Sequence, residues 1–165
     1  MLTTTIAGAP DGTVVASVPA WAGVPRERLL SRLDGAPPGG FILVVAPAGT
    51  GKSVLLRHWA ARRSGPVAVV ALNRDETPAS LVRQLLTAAS RLGAGGSLPR
   101  PPATGGPGLG AQAKGVLEAV WSAAGPGALA VDGFDRPVDR ALAHDLATVL
   151  ADLPPVIDLA VATRT

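Results

Sequence analysis

The chain has 165 residues, enough for one domain with a real core, and carries a formal net charge of +3 with no cysteine. The absence of cysteine excludes disulfides and thiolate metal sites and makes a cytoplasmic location the expectation. The 13 arginines and two lysines are scattered, with no basic run interleaved with aromatics, so this segment is not expected to bind nucleic acid directly. No apolar run approaches the ~20 residues of a membrane span, and Met1–Ile6 lacks the basic and apolar regions of a signal peptide.

In chain order, residues 1–24 are weakly patterned and are read as a weakly ordered N-terminal segment, with Thr13–Val18 as a candidate short strand. Pro25 suits the first position of a short helix whose face carries Leu29, Leu30 and Leu33. The break Pro37–Gly40 precedes a first strand at Phe41–Val45, followed by a helical pattern at Val54–Arg63. Val67–Leu72 reads as a second buried strand. Thr77 and Pro78 then have the form of an N-cap with proline at the first helical position, ahead of Leu81, Val82, Leu85, Leu86, Ala89 and Leu92 at helical spacing. Gly93–Gly110 holds eleven Gly or Pro in eighteen residues and reads as an open, mobile loop. A helix follows at Ala111–Ala124, then a third strand at Ala128–Val131, a helix within Pro137–Leu153 and a fourth strand at Val156–Ala162. Strands alternating with helices of this length predict an α/β fold: a mostly parallel sheet of about four strands, flanked by helices in three layers.

Between the first strand and its helix lies Ala46–Ser53, APAGTGKS, which matches GxxxxGK[ST] except for alanine at the first position. A phosphate needs several donors converging on one point, and backbone N–H groups supply them only where the chain curls tightly. Gly49 and Gly51 permit that curl, and the following helix aims unpaired N–H groups and its positive dipole end at the anion. Pro47, Ala48, Gly49, Thr50, Gly51, Lys52 and Ser53 are therefore the candidate cofactor-binding set. Lys52 is placed for the β- and γ-phosphates and the Ser53 hydroxyl for Mg²⁺. A glycine-rich turn with an incidental lysine and serine is the alternative reading.

Such a loop needs an acidic partner at the carboxyl end of another buried strand. Ala128–Asp132 supplies it, with Asp132 in the Walker B role beside Ser53 as a metal ligand; an aspartate merely capping a loop is the alternative. The next residue is Gly133, which cannot polarise water, so binding is expected more securely than hydrolysis. Asp135 is a weak candidate base and equally an ordinary loop carboxylate. Arg164, ending the fourth strand, is either a γ-phosphate sensor or a surface arginine. His58 reads as packing or surface, and Trp59 and Trp121 as core residues.

With these pieces placed, the chain resembles the N-terminal ATPase domain of LuxR-type transcriptional regulators related to the maltose-regulon activator, members of the STAND class of P-loop NTPases. The resembling stretches are Val24–Leu30, Ile42–Trp59, Val69–Asp75, Leu129–Phe134 and Leu159–Arg164, in the family's order from residue 24 onward. The resemblance implies ATP and Mg²⁺ as cofactors and a P-loop NTPase domain over residues 25–165. It matches Lys52 and Ser53 to the phosphate and magnesium residues, Asp132 to the Walker B aspartate, Arg164 to the arginine after strand four, and Pro25–Arg26 to a segment near the nucleotide base. Gly133 departs from the usual second acid. The family continues into a winged helix, inducer-binding helical repeats and a DNA-binding helix-turn-helix; the reading here is of a domain incomplete at its C-terminus, with the fifth core strand missing.

The expected function is thus an ATP–Mg-binding signal-transduction module with slow or no hydrolysis, its partner a nucleotide and self-association left open. The alternatives are a stand-alone phosphotransferase with the Gly93–Gly110 loop as lid, carrying Arg100 alone as a cation, and a truncated gene product without function.

Overall fold

The computed structural model describes residues 24–94, 108–136 and 139–164. The candidate strand Thr13–Val18, the interior of the Gly/Pro-rich loop and Arg100 lie outside them. The elements run α1 (Glu27–Asp34), β1 (Phe41–Val45), α2 (Lys52–Arg62), β2 (Val67–Ala71), α3 (Pro78–Arg91), α4 (Gly110–Ser122), β3 (Gly127–Asp132), α5 (Arg140–Ala151) and β4 (Ile157–Thr163). The four strands form one parallel sheet in the order β1-β4-β3-β2. Among the described residues no strand lies outside β1.

The two faces of the sheet differ in bulk. On one, Ala128, Ala130, Ala160 and Ala162 present only methyl groups, and α1 and α2 fill the space with Leu30, Leu33, Leu55, Leu56 and Trp59. On the other, Val70, Leu129, Val131, Leu159 and Val161 meet α3, α4 and α5. Strands buried on both faces account for the continuous apolar runs in β3 and β4. Trp59 and Trp121 are core residues, 0% and 2% exposed.

Local chemistry shifts several boundaries. The first helix begins at Glu27 rather than at Pro25, because Arg26 has non-helical torsions and acts as N-cap, its carbonyl accepting the N–H groups of Leu29 and Leu30. Helix α2 begins at Lys52, two residues before the apolar pattern, because Gly51 takes the left-handed conformation (φ 83°) that starts it. Helix α5, Arg140–Ala151, falls within the expected Pro137–Leu153, and at its start the Asp139 carboxylate accepts the N–H groups of Ala141 and Leu142. Thr77 and Pro78 behave as expected, and Ser80 completes a reciprocal capping box with Thr77.

At the C-terminal end of the Gly/Pro-rich stretch a contact to α5 is present. Leu109 is buried, and its N–H donates to Oδ2 of Asp145 at 2.8 Å, while Asp145 also pairs with Lys114. The bond to the Lys114 ammonium, with that from the Leu109 amide, holds the Asp145 carboxyl below the usual carboxylate range. Glycine densities in sequence do not reveal such a single apolar anchor.

Candidate functional site

The parallel sheet delivers three functional segments to its carboxyl edge, from the ends of β1, β3 and β4. Val45 pairs with Thr163, and Asp132 with Ala162, so the ends of β1, β4 and β3 lie level. Two strand spacings, roughly 10 Å, separate β1 from β3, and the loop after β1 arches across that gap. A cleft of about 270 Å³ results, lined by Ala48–Val54 from the loop and α2, by Asp132, Gly133, Asp135 and Arg136 from β3 and the turn after it, and by Arg164 after β4.

The loop has the geometry the motif requires. Gly49 and Gly51 both have positive φ, 77° and 83°, which a side chain would strain. The Thr50 hydroxyl donates to the Pro47 carbonyl at 2.9 Å. The Lys52 ammonium donates to the carbonyls of Ala46 and Pro47, the latter at 2.8 Å. An ammonium has three donors, so Lys52 closes the loop with two and retains one for an anion. No side chain caps α2, leaving its first amide groups free for the same anion.

Opposite stands Asp132, 8% exposed and, among the described residues, the one buried charged side chain. Its carboxylate takes no hydrogen bond or ion pair from any described residue. Its oxygens open onto the cleft, where a cation bound together with phosphate can reach them. Ser53 lines the same cleft. One carboxylate and one hydroxyl, with no cluster of three or more His, Asp or Glu among the described residues, suit magnesium, which keeps waters and takes phosphate oxygens.

The remaining sequence candidates fall as follows. Arg26 reaches the loop, its guanidinium 3.6 Å from the position a Cβ on Gly51 would occupy. Asp135 lines the cleft with its carboxylate engaged by Arg164, which donates its backbone N–H to Oδ1 at 3.1 Å and places Nε 3.2 Å from Oδ2. Arg164 follows β4, which lies directly beside β1. His58 is half-buried and shares a small hollow with Val24, Arg26 and Gly51.

Sequence reading missed Arg136. Its N–H donates to the Gly133 carbonyl at 2.9 Å, closing a turn, and its Nη1 donates to the Leu72 carbonyl at 3.3 Å. An Asp-Arg-Pro stretch in a loop carries no periodic signal; only the turn geometry brings this side chain to the cleft.

Among the described residues no helix is long and apolar enough to cross a membrane. No curated protein matches the chain. Residues 37–158, running from before β1 into β4, match the profile of an AAA domain. That match covers well over half of the chain and contains both the P-loop and Asp132, and the chain therefore belongs to the AAA-domain family of P-loop nucleotide-binding proteins.

Proposed function

We propose that the chain is an ATP–Mg²⁺-binding regulatory module of a LuxR-type transcriptional regulator of the STAND class, hydrolysing ATP slowly or not at all. The AAA domain supports nucleotide binding, and AAA P-loop domains typically take ATP with Mg²⁺. The regulator assignment is supported by the five ordered sequence stretches, Val24–Leu30 to Leu159–Arg164. The observation that carries the binding half is Asp132, without a partner among the described residues and open to the cleft, facing a P-loop whose Lys52 is already positioned.

In this reading residues 25–165 act as one P-loop unit. Backbone amides of residues 48–53 and the Lys52 ammonium hold the β- and γ-phosphates. Pro47, which has no N–H, shapes the loop through its carbonyl. Ser53 and Asp132 hold magnesium, Arg164 senses the γ-phosphate and Arg26 flanks the base. Magnesium would supply charge neutralisation between the phosphate oxygens. Hydrolysis needs a group that orients and deprotonates water. Gly133 has no side chain, and the Asp135 carboxylate is already held by Arg164. Nucleotide then acts by binding two states of the protein unequally, which is what a switch requires. Nucleic-acid contact is not proposed for this segment. Self-association is proposed through β1, whose Phe41, Leu43 and Val45 are 63%, 53% and 47% exposed on a sheet edge.

Equilibrium binding of labelled ATP to wild type and Lys52→Ala, with phosphate release measured in parallel, tests the reading. It predicts binding that Lys52→Ala removes and turnover near the buffer rate. Equal affinity of the two proteins overturns the site, and rapid turnover overturns the switch.

A further inference from the structure

The glycine after Asp132 makes room for an arginine. Gly133 has φ 76°, and a Cβ built on it would lie 2.7 Å from both Cδ and Nε of Arg136 and 3.1 Å from the Leu72 carbonyl oxygen. Any side chain at 133 therefore competes with Arg136 for one space. The turn that carries Arg136 is fixed on three sides. The Phe134 N–H donates to the Ala162 carbonyl at 3.0 Å, Asp135 holds Arg164, and Arg136 Nη1 bonds the Leu72 carbonyl at the end of β2. Arg136 is half-buried and lines the same cleft as Lys52, Ser53 and Asp132.

We propose that Arg136 is a phosphate-binding residue of this cleft, contacting the terminal phosphate of a bound nucleoside triphosphate from the side opposite Lys52. A glycine at 133 then has two effects: it places no carboxylate charge beside the γ-phosphate, and it leaves the space that the Arg136 guanidinium occupies. The planar fork suits this position: one N–H fixes the side chain to Leu72 and the remaining four stay available to phosphate oxygens. A diphosphate lacks the group Arg136 would reach, so the residue confers preference for triphosphate over diphosphate. It binds and does not activate water, which agrees with a site that holds its nucleotide.

The inference rests on the cleft being a nucleotide site, and the experiment separates the two claims. Isothermal titration of wild type, Lys52→Ala, Arg136→Ala and Arg136→Lys with Mg–ATPγS and Mg–ADP gives eight affinities, with thermal unfolding of each protein as the folding control. Arg136→Ala is expected to weaken Mg–ATPγS about tenfold or more, as loss of a charge-assisted bond implies, with Mg–ADP changed about twofold at most. Arg136→Lys keeps the charge and should recover part of the triphosphate preference. Lys52→Ala should weaken both ligands. An unchanged ratio of the two affinities in both Arg136 variants overturns the role of Arg136 while leaving the site intact. Failure of wild type to bind either ligand overturns the site itself. Equal loss of both ligands in both Arg136 variants, at an unfolding temperature well below wild type, assigns Arg136 to holding the turn and likewise overturns the proposal.

Discussion

Arg164 grips Asp135 twice, through its backbone N–H to one carboxylate oxygen (3.1 Å) and through Nε to the other (3.2 Å), in the cleft lined by Lys52 and Asp132. The pair decides between two roles for Asp135. A base must be free to take a proton, whereas this carboxylate is a tether for the one cation that β4 delivers to the site. The pair is partly exposed, with Arg164 at 42%, so it is worth little in stability. Its consequence is for ligand binding. In Asp135→Asn the backbone bond persists and the charge is gone, leaving Arg164 free for phosphate. Mg–ATP affinity measured by titration should rise severalfold, with phosphate release unchanged. A fall in turnover at constant affinity would restore Asp135 as a base.

The anchor of the Gly/Pro-rich loop is pH-dependent. Asp145 has a depressed pKa, first through Lys114 and then through the Leu109 amide. A depressed carboxylate contributes stability that is complete above its ordinary value near 3.8 and is lost as pH falls through the lower folded-state value. Asp145→Asn should lower stability at pH 7 by about 1 kcal/mol. The difference from wild type, read by urea unfolding, should shrink as pH drops below about 4. A difference that persists undiminished at pH 3 would contradict the assignment.

Thr77 starts α3 with a capping box and does not line the cleft. Thr77→Ala should cost about 1 kcal/mol of unfolding free energy. Mg–ATP affinity should stay unchanged, which makes this variant the control for stability effects in the binding experiments.

Edge strand β1 turns Phe41 and Leu43 toward a groove of about 370 Å³ shared with Phe134, Leu150 and Leu153. An exposed apolar edge favours pairing with another chain. Sedimentation velocity over a range of concentrations should show self-association of wild type that Leu43→Lys reduces, with unfolding little altered because Leu43 is 53% exposed. Identical sedimentation of the two proteins would count against self-association through this edge.

Much of this was legible in the sequence because it lives in local patterns. The apolar runs fixed four strands to within a residue or so of their ends, and Thr77-Pro78 announced α3. Gly49, Gly51, Lys52 and Asp132 converge as their types and flanking elements demand. What escaped depends on tertiary geometry. Leu109 is one apolar residue among glycines and prolines, yet it is buried and held by a carboxylate on α5, 36 positions away. Arg136 occupies space that a side chain at Gly133 would contest, and no pattern in the residues of that turn signals it. The starts of α1 and α2 moved by two residues where a cap, and not the apolar period, set the boundary, at Arg26 and Gly51.

The central claim is that Asp132 and Ser53 form a magnesium position against P-loop-bound ATP. Titrating wild type and Asp132→Asn with ATP, each with Mg²⁺ and with EDTA, tests it most directly. Magnesium should strengthen ATP binding by wild type about tenfold or more and do little for Asp132→Asn, while the two proteins bind ATP alike in EDTA. Magnesium enhancing both proteins equally, or neither, would contradict the account.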